Sequence, residues 1–149
     1  MNYLEEFDKL KTKVLKYILF KKRTENEVRQ KFISDQGELL NDVIDDLEEN
    51  GYIDDSNYIE RAVREYMNLK NLSIKEMEYK LISKGLKKDL IDNYIYNNKE
   101  ILLEYEIKSA KNIIVKKMNS QDKEEILSGL KKKRYMEESL KLAIQEIEE

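Results

Sequence analysis

Three times, at a fixed interval, the chain repeats a helix-capping pattern followed by an apolar pair. Thr24-x-x-Glu27-Val28-x-x-x-Phe32 returns as Ser73-x-x-Glu76-Met77-x-x-x-Leu81 and again as Asp122-x-x-Glu125-Ile126-x-x-x-Leu130. Each step is 49 residues, from 24 to 73 to 122. In every copy the cap oxygen can accept from the backbone N–H three residues on, and the glutamate can reach back to the N–H of the cap residue. The apolar pair is spaced i, i+4, which puts both side chains on one helix face. Capping boxes are common singly, but three in register within 149 residues are the mark of an internal repeat.

Further helices fall around each copy. Leu10, Val14, Tyr17 and Ile18 form an apolar stripe before the first, Tyr58, Ala62, Tyr66 and Leu69 before the second, and Leu103, Ile107, Ala110 and Ile114 before the third. Behind them come Val43 with Leu47, Ile91 with Ile95, and Leu140 with Ile144 and Ile147. Two helix ends read as Schellman motifs, with a left-handed glycine followed by an apolar residue that packs back: Leu47 with Gly51 and Tyr52, and Leu81 with Gly85 and Leu86. Arg134 stands at the third equivalent position, which predicts a looser or differently shaped end there. The fold expected is all-α: one domain over 1–149, made of three-helix repeats at 7–54, 55–98 and 99–149 in an elongated, curved, right-handed array.

Composition agrees with such a body. Proline is absent and glycine occurs only at 37, 51, 85 and 129, so helix breakers are nearly missing. Charged residues make up 40% of the chain, well above the usual share of about 25%, which suits a thin helical body with much surface per residue. Without cysteine there is no disulfide framework. An acidic start and short apolar runs such as 17–20 offer neither a secretory signal nor a bilayer span, so a cytoplasmic monomer with no membrane partner is expected.

The net charge of −3 argues against affinity resting on phosphate neutralisation alone, yet the charges are sorted. Nine basic and three acidic side chains lie between Asp8 and Lys31, then ten acidic and no basic ones between Asp35 and Glu60. Basic character returns from Arg61 to Asp89 and from Glu104 to Arg134. The basic runs 21–23, 87–88 and 131–134 fall beside helix ends in corresponding parts of the repeat, where they can form a basic edge. Ten tyrosines in a chain without tryptophan raise the question of a stacking surface. Tyr17, Tyr58, Tyr66 and Tyr94 fall on apolar stripes, however, so core packing with the hydroxyl at the rim accounts for them, while Tyr3, Tyr79, Tyr96 and Tyr105 are less clearly inward.

Catalytic chemistry has little to work with. Zero histidines and zero cysteines remove imidazole bases, thiolate nucleophiles and the usual zinc ligands. Four scattered glycines make no phosphate-cradling loop, and no cofactor is expected. Asp42, Asp45, Asp46, Glu49, Asp54 and Asp55 cluster in sequence, and a divalent-cation site can be drawn from Asp42 and Asp46 at i, i+4. The same residues are explained by Asp55 or Ser56 capping the next helix and by a wet acidic face, and no metal is assigned.

A family resemblance enters with three stretches. Glu27-Val28-Arg29-Gln30-Lys31-Phe32, then Asp42-Val43-Ile44-Asp45-Asp46-Leu47-Glu48-Glu49-Asn50-Gly51-Tyr52-Ile53-Asp54-Asp55 with Tyr58, and Lys80-Leu81-Ile82-Ser83-Lys84-Gly85-Leu86 with Ile91, resemble the RecX family of recombinase regulators. The likeness is specific around Gly51 to Asp55 and thin in the third repeat. It implies a curved body of three tandem three-helix repeats, partnered by a RecA-type recombinase filament and by DNA within that filament. It also implies inhibition of the recombinase's ATPase, strand-exchange and co-protease activities. The sequence departs from the family pattern at Asn68-Leu69-Lys70-Asn71-Leu72-Ser73, where arginines and a glycine are common, and at Glu76, where a basic residue is common. Gly51, Tyr52, Ile53, Asp54, Asp55, Tyr58 and Gly85 are expected to form the structural joints between units. Lys21, Lys22, Arg23, Arg61, Arg64, Lys84, Lys87 and Lys88 are expected to meet the partner. Two other readings remain: a winged-helix DNA reader running from Thr24 to Ile53, which would need a β-hairpin after Gly51, and a passive helical scaffold.

Overall fold

A computed structural model describes residues 2–149, and among them every regular element is helical. The first unit holds α1 (Tyr3–Phe20), α2 (Glu25–Lys31) and α3 (Glu38–Glu49), with a short 3-10 turn, Ile33–Asp35, after α2. The second holds α4 (Asp55–Leu69), α5 (Ile74–Ser83) and α6 (Lys88–Asn97), and the third α7 (Lys99–Lys117), α8 (Lys123–Lys132) and α9 (Glu137–Glu148). No strand follows Gly51, so the wing of a winged helix is missing and α4 stands in its place. Among the described residues no helix is long and apolar enough to cross a membrane. The surface of 9925 Å2 exceeds by about a quarter the roughly 8,000 Å2 of a compact monomer of this mass, as an elongated body requires.

The repeated caps start the middle helix of each unit. Thr24 and Ser73 each accept from the N–H of the glutamate three residues on, at 3.0 and 3.1 Å, while Glu27 and Glu76 return the bond to the cap N–H at 3.1 and 2.9 Å. Asp122 accepts from Glu125 N–H at 2.9 Å without the return bond. The apolar pairs then enter three successive cores. Val28 joins Leu10, Val14, Ile18, Leu40, Val43, Ile44 and Leu47, with Phe32 at the margin because α2 ends before it. Met77 and Leu81 join Ile59, Val63 and Ile91, and Ile126 and Leu130 join Ala110, Ile114 and Leu140.

Two of the expected stripes are shifted. In α4 the buried residues are Ile59 and Val63, whereas Tyr58, Ala62 and Tyr66 are half-buried beside them and Leu69 is exposed at the helix end. In α7 the buried set is Leu102, Tyr105, Glu106, Ser109, Ala110 and Ile114, so Leu103 and Ile107 sit at its edge. That helix turns one face to two cores, Leu102 and Tyr105 to the second and Ala110 and Ile114 to the third, and a single apolar stripe does not describe it.

The helix ends also differ from expectation. Gly51 and Gly85 take φ of 77° and 78°, as Schellman ends require, but the residue folded back after Gly51 is Ile53, buried to 3%, while Tyr52 is about half exposed. Arg134 takes φ of 71° and makes the same end rather than a looser one. Its N–H donates to Lys131 at 3.0 Å, the Tyr135 N–H donates to Leu130 at 3.1 Å, and Tyr135 is buried. The cap of α4 is Asp54, which accepts from Asn57 N–H at 3.0 Å, and not Asp55 or Ser56.

Asp55 serves the joint between units: its carboxylate accepts from Glu25 N–H at 3.0 Å, over the start of α2. Glu106, fully buried, does the same one unit later, accepting from Ile74 N–H and from Met136 N–H, both at 2.8 Å. The cap hydroxyls cross the same joints. Thr24 donates to the Lys84 carbonyl at 3.1 Å and Ser73 to the Lys133 carbonyl at 2.6 Å, so each middle helix starts against the end of the next. Gly85 is needed at the first joint because a Cβ there would fall 2.5 Å from Asn26 Cβ.

Candidate functional site

At the first joint the end of α1, the outer face of α4 and the end of α5 enclose a groove of about 450 Å3. Its walls carry Lys21, Lys22, Arg61 and Lys84 among the tyrosines Tyr58 and Tyr66, with Ala62 between them and Glu65 as the one acid. The sequence builds this locally. Residues 58, 62 and 66 share a face of α4, and the small Ala62 between two rings leaves the floor open. After Phe20 the chain is extended until Thr24 caps α2, which holds Lys21 and Lys22 at the rim. Lys22 Nζ donates to Asn57 Oδ1 at 3.3 Å, and Lys84 is fixed by its carbonyl at the joint. Lys80 Nζ lies 6.0 Å from the centre of the Tyr66 ring. Burial pushes the Tyr58 and Tyr66 hydroxyls up, helped by Glu27 at Tyr58 and by Glu65 at Tyr66, so both remain neutral hydrogen-bonding groups. Four cations, one carboxylate and two ring edges suit a phosphate backbone or an acidic protein surface.

Of the eight basic residues expected at a partner surface, the groove collects Lys21, Lys22, Arg61 and Lys84. Arg23 turns inward, its guanidinium 4.1 Å from the centre of the Tyr17 ring and 4.0 Å from Glu27, which makes it a packing residue. Arg64 pairs with Glu60 at 3.4 Å and Lys88 with Asp92 at 3.1 Å, both exposed on their own helices. Lys87 lies across the joint, in a cleft with Glu25, Glu48, Asp54 and Asp55. There the Glu48 carboxyl is pushed up to about 7 by its hydrogen bond to Glu25 and by burial, while Glu25 is held below its ordinary value.

The acidic run from Asp42 to Asp55 is dispersed into separate contacts. Asp42 accepts from the Tyr3 hydroxyl, Asp46 pairs with Lys11 at 2.7 Å, and Asp54 and Asp55 cap helices. Among the described residues no group of three carboxylates is gathered closely enough to hold a metal ion. Sequence reasoning passed over the polar cluster at the second joint. There the Tyr105 hydroxyl donates to the Leu72 carbonyl at 2.6 Å, and Ser109 and Tyr135 share a 2.6 Å bond. The signal for it was an acid, Glu106, set between the apolar positions Leu102 and Ala110.

No family model matches the chain. Regulatory protein RecX of Lacticaseibacillus paracasei is 31% identical over 81 residues, 53% of this chain and 34% of that protein. Its namesake in Lactococcus lactis subsp. lactis is 32% identical over 97 residues, 62% of this chain and 36% of the relative. The crystal structure of RecX from Lactobacillus salivarius superposes with a TM-score of 0.80 over 97% of this chain and 98% of that one, at 21% identity. The chain resembles RecX proteins in sequence over about half its length and shares their fold over nearly all of it. A second RecX crystal structure gives a TM-score of 0.79, covering 96% of this chain and 73% of that chain at 18% identity, so the fold is shared where few residues are. The match to the curated RecX relatives takes up only about a third of their length.

Proposed function

We propose that this chain is a regulator that binds a RecA-type recombinase filament on DNA and mainly inhibits its ATPase, strand-exchange and co-protease activities. It acts in the cytoplasm, in DNA repair and recombination, by binding and not by catalysis. The observation that carries this reading is the groove at the first joint. Lys21 and Lys22 just past α1, Arg61 on α4 and Lys84 just past α5 line one opening together with tyrosine. Kinship with proteins named for regulation supports it.

The test is recombinase ATPase on single-stranded DNA with increasing protein at several salt concentrations. Wild type is compared with a variant carrying Lys21, Lys22, Arg61 and Lys84 as glutamate. The variant should keep its helical signal, since exposed substitutions usually change stability by within about 0.5 kcal/mol each, and should lose inhibition. If the groove meets phosphates, the slope of log affinity against log salt should also fall by about one unit for each contact removed. A wild-type protein that leaves the ATPase and strand exchange of its own recombinase untouched at micromolar concentration overturns the proposal and leaves a passive scaffold.

A further inference from the structure

The third unit ends in a seat that the first two units have filled. In the second unit, Met77 and Ile95 bury themselves against Leu102 and Tyr105 of α7, and Glu106 accepts from the first N–H of α5, that of Ile74. One repeat later the equivalents are Ile126, Ile144 and the N–H of Lys123. Here the seat is a cleft of about 270 Å3, lined by Ile114, Met118, Ile126, Leu127, Ile144 and Ile147 beside Asp122 and Lys123. Among the described residues no carboxylate covers the Lys123 N–H, and Met118 is 55% exposed.

The matching plug stands at the other end of the same chain. Leu4, Phe7 and Asp8 have the spacing and chemistry of Leu102, Tyr105 and Glu106, two repeat lengths earlier. Tyr3-Leu4-Glu5-Glu6 likewise copies Tyr52-Ile53-Asp54-Asp55, the first joint, one repeat earlier. Ile53 and Leu102 are buried to 3% and 2%, each closing the core before it, whereas Leu4 is 70% exposed and Asp8 lies on the surface. An exposed leucine at a position whose two counterparts are core plugs is surface without its partner.

We propose that copies of this chain associate head to tail, α1 of one copy seating on the open end of the third unit of the next. Leu4 enters the cleft of Ile114, Ile126, Ile144 and Ile147, Phe7, which packs partly against its own first core, meets the cleft's rim, and the Asp8 carboxylate takes the Lys123 N–H as Glu106 takes that of Ile74. The contact repeats the second internal joint, with an apolar residue at the Leu102 position and a carboxylate at the Glu106 position, and it is heterologous, so it propagates without closing. It is small beside a stable interface, so the monomer expected from the sequence is the dilute form. The inference is independent of the recombinase reading.

Sedimentation equilibrium and light scattering on the full chain, from about 10 µM to about 1 mM, test it. Wild type should show an average mass that climbs past two chains without a plateau. Leu4→Asp spoils the plug and Met118→Asp spoils the seat, both at exposed positions. Each alone should stay at the mass of one chain with an unchanged helical signal, and an equal mixture should form complexes that stop at two chains, because one good plug meets one good seat. Lys123→Pro removes the N–H at a helix position that tolerates proline and should weaken association several-fold relative to Lys123→Ala, which keeps it. A wild-type mass fixed at one chain, a plateau at two chains, or variants that assemble alone or fail to complement would each overturn the proposal.

Discussion

Gly51, Gly85 and Arg134, three of the helix-end residues with left-handed backbone, hold it for different returns. Gly51 at φ 77° would meet nothing within 4 Å if given a Cβ, while Gly85 at φ 78° would strike Asn26. Gly51→Ala should therefore cost the backbone term alone, about 1 kcal/mol, and Gly85→Ala should cost more by the strain of parting α2 from α5. Urea midpoints of the two variants compare them directly, and equal losses would show that the joint at Gly85 is not tight. Arg134 reaches φ 71° without glycine, held by the burial of Tyr135 behind it. Arg134→Gly should raise stability, by up to about 1 kcal/mol after the greater freedom of glycine in the unfolded chain is offset. The glycine ends were legible because only glycine is comfortable there. The arginine end was misread because what compels it is a tyrosine packing across a core, which spacing along one helix does not reveal.

Among the elements, the middle helices gain most from their neighbours. The Thr24 and Ser73 hydroxyls accept from their own helices and donate to the next unit, while the Asp122 carboxylate, which has no proton to give, only accepts. Ser73→Ala should cost about 2 kcal/mol, roughly one for the cap and one for the bond to Lys133, against about 1 kcal/mol for Asp122→Ala. Ser73→Asp keeps the cap but brings a carboxylate up to a carbonyl, and should not rescue the loss; thermal melts of the three variants check this. The caps themselves were plain in the sequence, but their second role was not, since it joins residues 60 positions apart. At the first joint Glu48 has a pKa of about 7 in the fold against an ordinary 4.5. The folded state thus holds the proton more tightly than the unfolded chain, and this contribution to stability, full below about 4.5, fades as pH rises toward 7. The lowered Glu25 acts in the opposite sense below its ordinary value of 4.5. Glu48→Gln should flatten the fall of the melting midpoint between these pH values, and an unchanged slope would remove Glu48 from that role.

For the whole molecule, the repeat interval and the apolar pairs were enough to anticipate the all-helical fold, and the family resemblance read from the residues agrees with the relatives found. The groove was half legible. Basic runs at helix ends announced Lys21, Lys22 and Lys84, but which cations share an opening depends on how three helices meet, and Arg23, Arg64 and Lys88 spend their charge on Tyr17, Glu60 and Asp92. Glutamate at Arg64 and Lys88 should accordingly leave inhibition nearly intact where the four groove substitutions abolish it, measured in the same ATPase titration; a loss of equal size would move the contact surface outward along α4 and α6. The order of the middle helices carries one more consequence. Since α2 begins where α5 ends and α5 begins where α8 ends, their backbone dipoles add along the body. Such a rod has a direction, with unlike electrical poles at its two tips, so on any lattice that itself runs one way it has a preferred heading.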